Sequence, residues 1–156
     1  MERHIDAILT AVMKMNESKE LLSSILETAQ MGQTGIRSVM KTSLGPQLRQ
    51  ALQSQLQEYD TIEREAYGIA STRGWELREL EPAVKGMSDM MTRMKLLFGN
   101  NDSKVAAMLI QGNTRGMIVG LKDLHHFHGH DSQISTLSQR LIDCETANIR
   151  QMQGFL

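Results

Sequence analysis

The stretch IDAILTAVMKMNESKELLSSILETAQMGQTGIRSV, residues 5–39, decides the fold. Its apolar side chains recur at alternating steps of three and four residues, which places them along one face of a helix that packs against other helices. A polar run at residues 16–20 interrupts this spacing and offers helix-capping side chains. The pattern therefore predicts a short helix to about Lys14 and a long helix from about Asn16 to Thr42, or one kinked helix over both. The apolar positions are Ile5, Ile8, Val12, Met15, Leu22, Ile25, Ala29, Ile36 and Val39.

Glycine and proline mark the ends of the next helix. Gly45-Pro46 ends the first long helix and begins the second, because proline at a first helical position lacks an N–H that would be unpaired there in any case. The second helix is predicted to end at Arg73-Gly74-Trp75. Glycine can adopt the left-handed cap at this point, and tryptophan can fold back on the last turn.

Three more helices are predicted beyond residue 75. Pro82 begins a shorter, methionine-rich helix that reaches Phe98. Another helix runs from about Asp102 to His128, and the last begins at Asp131 or Ser132 and continues to the C-terminus. With two prolines and 4% aromatic residues, the composition favours helices over strands. We therefore expect an all-α fold.

Length and charge narrow the classes of function. A chain of 156 residues is expected to form one domain, 1–156, with its own core. Seventeen Lys and Arg against eighteen Asp and Glu give a net charge of −1, which argues against nucleic acid as a partner. The single cysteine, Cys144, fits a reducing compartment, so we expect a cytoplasmic protein. No apolar run approaches the ~20 residues of a membrane span, and the N-terminus does not resemble a signal peptide.

The order of the predicted helices resembles the ferritin-like four-helix bundles. Short turns join two pairs of helices into antiparallel hairpins, and some thirty residues separate the pairs. The Arg73-Gly74-Trp75 helix end is similar to that of relatives of spore coat protein F, a bacterial branch of this superfamily, and the resemblance covers roughly Leu21 to the C-terminus. It implies an antiparallel four-helix bundle with an extra methionine-rich helix in the long crossover and a short N-terminal helix.

The di-iron members of this superfamily use Glu-x-x-His pairs, which are lacking here. Three residues after Glu58, Glu63 and Glu145 stand threonine, alanine and asparagine. The iron oxidase or storage activity of those members is therefore not expected, although a site made of carboxylates alone stays open.

Glu63 and Glu145 lie on inward helical stripes in this pattern, and a buried carboxylate needs a partner. Pairing with an arginine or amide, such as Arg115 or Asn148, is one interpretation. The other makes both glutamates ligands of a metal ion such as iron.

The run His125-His126-Phe127-His128-Gly129-His130-Asp131 is the most unusual local feature. His125 and His128 share a helix face, and with His130 and Asp131 they could hold zinc, nickel or copper. Histidines near a helix C-terminus also stabilise it through the helix dipole, and the spacing matches no closed structural zinc motif. Apart from iron or zinc at these positions, no cofactor is expected.

Two groups of residues suggest packing or association. Gly112, Gly116 and Gly120 form a ridge of small residues that lets another helix approach. Its expected counterpart on the first long helix is Ala29, Gly32 and Gly35. Close packing inside the bundle, a dimer contact and a ligand groove are the three interpretations. A second group, Met87, Met91 and Met94, offers an adaptable surface for a partner.

These features predict a noncatalytic bundle that acts through self-association or a protein partner. The resemblance to spore coat relatives implies a role in a spore or stress-related assembly. The enzyme question stays open, but no phosphate loop or nucleophile elbow supports catalysis. The alternatives are a metal-binding or redox bundle and a carrier of a small apolar ligand between the helices.

Overall fold

The structure, a computed structural model, describes residues 1–78 and 101–156. Within these residues the chain forms four helices and no strand: α1 (Glu2–Met40), α2 (Pro46–Arg73), α3 (Asp102–His126) and α4 (Ser132–Gln153). The predicted all-α fold is confirmed for the described part of the chain. The predicted helix from Pro82 to Phe98, with Met87, Met91 and Met94, lies outside the described residues.

The N-terminal region is one continuous helix, so of the two predicted alternatives the separate short helix ending near Lys14 is wrong, and a single helix covers both segments. The polar residues 16–20 contain neither glycine nor proline, and residues of these types cost a helix only a few tenths of a kcal/mol each. Ser18 is itself buried. The polar run therefore marks where the helix enters the bundle and does not end it.

The turn between α1 and α2 is held by hydrogen bonds from both neighbouring segments. Pro46 occupies a first-turn position of α2, as predicted. The Arg49 guanidinium donates to the carbonyl oxygens of Met40 and Thr42, each at 3.0 Å. These bonds satisfy carbonyls that the end of α1 leaves without helical partners.

Helix α2 ends as predicted, with Gly74 in the left-handed conformation at φ 68°. The Trp75 N–H donates to the Ala70 carbonyl at 2.9 Å, and the Arg73 guanidinium lies 4.9 Å from the centre of the Trp75 ring. The tryptophan thus folds back over the last turn and covers the arginine, a favourable cation–π contact.

Gly74→Ala is expected to lower the free energy of unfolding by about 1–2 kcal/mol, because a β-carbon disfavours the left-handed conformation. Gly68→Ala, inside the same helix with open space around its position, is the control and should raise it by up to about 1 kcal/mol. Chemical denaturation of both variants measures the difference. Equal effects of the two substitutions would contradict the assigned cap.

Contacts at the two ends of the bundle define the direction of each helix. At one end, the Gly45 N–H before α2 donates to the Asp102 carboxylate at the start of α3, at 3.1 Å to each oxygen. At the other end, Arg73 of α2 pairs with Asp131 before α4. Helices α2 and α3 therefore run parallel, and each is antiparallel to both α1 and α4. The chain leaves residue 78 at one end of the bundle and re-enters at residue 101 at the other.

The core draws on all four helices, but α3 contributes small residues at its contact with α4. Val105 and Ala106 are the buried apolar side chains of α3. Gly120 packs against the Ile142 side chain, where an added β-carbon would come within 2.9 Å. None of the four described helices is both long and apolar enough to span a lipid bilayer. The largest fully buried aliphatic side chains are Leu22, Leu26, Leu48, Leu52, Ile62, Ile134, Leu141 and Met152.

Candidate functional site

A cluster of polar side chains lies in the middle of this apolar core. Tyr59 comes from α2, Asn113 from α3, and Cys144, Glu145 and Asn148 from α4. Tyr59 is 1% exposed, Glu145 2% and Asn113 8%. Each residue stands on the inward stripe of its helix, so helical periodicity brings polar groups into the core together with their apolar neighbours. We call these five residues the central cluster.

The Tyr59 hydroxyl is the hub of the central cluster. Its oxygen lies 2.7 Å from Glu145 Oε1 and 3.1 Å from Asn113 Oδ1. The Asn148 amide donates to the same oxygen at 3.3 Å and also lies 3.6 Å from the Cys144 sulfur. One phenol group thus connects α2, α3 and α4.

Two glycines make room for the cluster. A β-carbon on Gly32 of α1 would come within 2.6 and 2.8 Å of Tyr59 ring carbons, so the ring lies directly against the backbone of α1. A β-carbon on Gly116 of α3 would come within 3.0–3.1 Å of the Glu145 carboxyl group. The absence of side chains at these positions lets the large tyrosine and the glutamate occupy the centre.

These contacts revise the predicted ridge of small residues. Gly116 and Gly120 pack inside the bundle, but against side chains of α4. The expected counterpart on α1 is wrong at Gly32, which is covered by the Tyr59 ring. Gly35 and Gly112 have open space around them. The helix propensity lost at Gly32, Gly116 and Gly120 is therefore offset by close packing against side chains of α2 and α4, and not by contact between two glycine ridges.

Burial favours the uncharged forms of the titratable groups in the central cluster. It raises the pKa of the Glu145 carboxyl to about 8, although the hydrogen bond from Tyr59 opposes the shift. Burial also raises the pKa of the Tyr59 hydroxyl well above its ordinary value and that of the Cys144 thiol to about 12. Since the thiolate is the nucleophilic form of cysteine, the buried Cys144 behaves as a small apolar residue at neutral pH.

One polar atom of the cluster has no partner. Among the described residues, the Asn113 amide nitrogen is the buried side-chain N or O atom that makes no hydrogen bond. Such an orphan donor costs about 1–3 kcal/mol. The central cluster therefore keeps one unpaired donor, although the Tyr59 hydroxyl contacts three polar partners.

The structure gives the two glutamates proposed as metal ligands different partners. Glu63 is half-buried and accepts a hydrogen bond from the Gln30 amide at 3.2 Å, whereas Glu145 binds Tyr59. Within residues 1–78 and 101–156, no group of three or more His, Cys, Asp and Glu side chains is arranged to hold a metal ion. Glu63 thus has the predicted kind of partner, an amide, whereas the partner of Glu145 is a tyrosine hydroxyl and neither an arginine nor an amide.

The histidines at the end of α3 are exposed. His125, His128 and His130 all lie on the surface. Asp131 binds the Arg73 guanidinium, with a second contact of 3.1 Å, and accepts the Ile134 N–H at 3.4 Å as the cap of α4. Arg73 lowers the pKa of the Asp131 carboxyl. The carboxylate is thus already engaged, and a metal site at these histidines stays a prediction.

A second candidate surface is the start of α1. Residues 1–16, the N-terminal arm, are exposed throughout. The arm carries six apolar side chains that are 44–65% exposed: Ile5, Ile8, Leu9, Val12, Met13 and Met15. Ile8 and Met15 continue, at seven-residue steps, the line of Leu22, Ala29 and Ile36, which are buried in the core. The arm therefore extends a core-forming helix face beyond the other helices.

Sequence reasoning found Glu145 and the neighbouring Asn148 but missed Tyr59 and Asn113. Tyr59 lies among the apolar residues of α2 and Asn113 beside the glycines of α3, and neither position by itself indicates a polar contact. No spacing within a single helix shows that side chains on two different helices meet. Comparison of the chain with protein-family models, with curated proteins and with solved structures gave no match.

Proposed function

We propose that the protein is a noncatalytic helical bundle that works by self-association, in which the N-terminal arm of one copy packs along the arm of a second copy. The exposed apolar face of the arm is the observation that supports this proposal. In a soluble monomer such a continuous apolar stripe would stay in contact with water, and stripes of this kind mark interaction surfaces.

The spacing of the stripe favours a helix as the partner. Ile5, Ile8, Val12 and Met15 follow steps of three, four and three residues, which is the a and d pattern of a coiled coil. In an antiparallel pair, Ile5 would face Met15 of the second arm, and Ile8 would face Val12. The same four residues therefore form both halves of the interface, as two-fold symmetry requires.

Burial of the arm's apolar side chains contributes a free energy of the size that association costs. Complete burial of a side chain such as Ile, Leu, Val or Met contributes about 1.5–3 kcal/mol, and roughly half of that remains for a half-exposed one. The four stripe residues from each of two arms therefore contribute up to roughly 6–12 kcal/mol, against an association cost of about 4–15 kcal/mol.

The charges of the arm do not favour a membrane surface as partner. Glu2 and Asp6 balance Arg3 and Lys14, so the arm lacks the basic face that draws amphipathic helices to anionic lipid.

The proposed architecture of each copy is ferritin-like. Two antiparallel hairpins, with parallel middle helices and a long connection between the pairs, support it. We extend the proposal to the cytoplasm, supported by the buried, unpaired thiol of Cys144, and to a spore or stress-related assembly, supported by the Arg73-Gly74-Trp75 resemblance.

The double variant Ile8→Lys/Val12→Lys tests the arm. It removes two apolar contacts from each copy, about 3–6 kcal/mol for a pair, and should weaken self-association more than ~100-fold. Light scattering coupled to size-exclusion chromatography, over a range of concentrations, measures the molar mass of wild type and variant.

The control is Ala7→Lys/Thr10→Lys, which adds the same charge on the opposite side of the arm and should leave the molar mass unchanged. Circular dichroism should show the same helix content in all three proteins. A wild type that is monomeric at every concentration would overturn the proposal, and an oligomer unaffected by Ile8→Lys/Val12→Lys would exclude the arm as its interface.

A further inference from the structure

The Tyr59 hydroxyl has a single proton but lies next to two possible acceptor oxygens in the central cluster. A tyrosine hydroxyl has one proton to donate and two lone pairs that accept. The Tyr59 oxygen lies within hydrogen-bonding distance of two oxygens, Glu145 Oε1 and Asn113 Oδ1, and it accepts from Asn148. One proton cannot serve both oxygens, so a second donor is required.

An ionised Glu145 does not satisfy this arrangement. Tyr59 would have to donate to the carboxylate, and Asn113 would have to turn its amide nitrogen towards the hydroxyl. The carboxylate, 2% exposed, would then hold its charge with one hydrogen bond from the described residues. A buried charge without a cation or several donors is strongly disfavoured.

A neutral Glu145 uses every observed contact. Its acid O–H donates to Tyr59, Tyr59 donates to Asn113 Oδ1, and Asn148 donates to the second lone pair of the phenol oxygen. Each contact then has one donor and one acceptor.

The charged groups on the surrounding helices are engaged with other partners or exposed. Burial and the Tyr59 hydrogen bond are the influences that act on the pKa of Glu145, and no cation of the described residues is among them. The neighbouring pairs are Arg140 with Glu58 and Glu65, Arg37 with Asp60, Gln30 with Glu63, and Gln139 with Asp143, while Arg115 is exposed.

We propose that Glu145 is a neutral carboxylic acid in the folded protein at neutral pH, and that its ionisation switches the Tyr59 hydroxyl from Asn113 to Glu145. The proton lost by Glu145 passes to water, and the hydroxyl of Tyr59 rotates without losing its own proton. The rotation ends the donation from Tyr59 to Asn113, and Asn113 then has to turn its amide nitrogen towards the hydroxyl, so the protonation state of Glu145 sets the direction of the hydrogen bond between α2 and α3. This inference is independent of the proposed self-association.

The sign of the pH dependence follows from the direction of the shift. The carboxyl of Glu145 ionises near pH 4.5 in the unfolded chain and near pH 8 in the folded one. Between these values the folded state holds a proton that the unfolded state has released, so the folding constant falls about tenfold for each unit of rising pH. Above the pKa of Glu145 in the folded protein, this carboxyl is ionised in both states and the folding constant no longer changes with pH because of it.

Carbon-13 NMR of the glutamate side-chain carboxyl groups tests the proposal directly. The assigned Glu145 signal of the wild-type protein should titrate with a midpoint near 8. A midpoint near the ordinary 4.5 would overturn the proposal.

Glu145→Gln provides a second test. The amide has the shape of the acid and can donate to Tyr59 at every pH, so the variant should lose the tenfold fall per pH unit between about pH 5 and 8. Glu63→Gln, a half-buried glutamate with an amide partner, is the matched control and should keep it. Denaturation curves across this range measure both variants, and the same slope in Glu145→Gln as in wild type would reject the switch. If Glu145→Gln does not fold, the wild-type NMR midpoint decides the question.

Discussion

Tyr59→Phe is expected to lower the free energy of unfolding by about 3–5 kcal/mol, although it removes a single oxygen atom. The hydroxyl serves Glu145, Asn113 and Asn148 together, and its loss leaves three buried polar groups without that partner. Each unsatisfied group costs about 1–3 kcal/mol, with some recovery as the side chains adjust. The loss is a large part of the 5–15 kcal/mol by which ordinary domains are stable.

Tyr67→Phe on the same helix is the matched control. Tyr67 is 38% exposed and its hydroxyl accepts from Gln30 at 3.2 Å, so water can replace the bond. We expect a change within about 0.5 kcal/mol, as for most surface substitutions. Urea denaturation of the two variants gives the comparison, and equal losses would show that the central cluster does not depend on its hub.

Gly32→Ala is the second substitution with a large expected effect, a loss of about 1–3 kcal/mol. Alanine normally stabilises a helix interior by up to about 1 kcal/mol over glycine. Here the new methyl group would overlap the Tyr59 ring, which is rigid and fully buried, so either the ring or the backbone of α1 has to move. Overpacking of this kind outweighs the helix propensity.

Gly35→Ala measures the gain in helix propensity without the overlap with the Tyr59 ring. It lies three residues along the same helix with nothing within 4 Å of its added carbon, and it should raise stability by about 0.5–1 kcal/mol. Thermal unfolding followed by circular dichroism should therefore shift in opposite directions for the two variants. In a Tyr59→Leu background, where the ring is absent, Gly32→Ala should lose most of its penalty. Stabilisation by both alanines in the wild type would mean that Gly32 does not seat Tyr59.

The central cluster also explains why α2 and α4 pack in one axial register. An apolar interface between long helices tolerates sliding, because one leucine packs much like another. Tyr59 meets Glu145 and Asn148 in a single axial alignment of α2 and α4, and Gln55 meets Gln151 at 2.8 Å in the same alignment. We expect a shift by one turn to separate these partners and leave them unsatisfied, which is the best-attested role of polar groups in helical cores.

The sequence alone determined where α2 begins and ends. Pro46 and Gly74 restrict the backbone locally, so their effect does not depend on the rest of the chain. The division of α1 was predicted wrongly because Asn16 and Ser18 can cap a helix but do not require one to begin. Their cost inside a helix is small, and the packing of residues 21–39 against the other helices outweighs it.

Only the tertiary structure decided which polar residues meet. Glu145 was visible in the sequence as a carboxylate on an inward stripe, but its partner lies 86 positions away on another helix, and the amide of Asn113 lies on a third. Helical periodicity specifies the angle of a side chain around its own axis, whereas the axial offset between helices comes from the turns and from the packing of the whole core. The proton of Glu145 depends on that offset, because burial next to Tyr59, and not the residue type, sets its pKa.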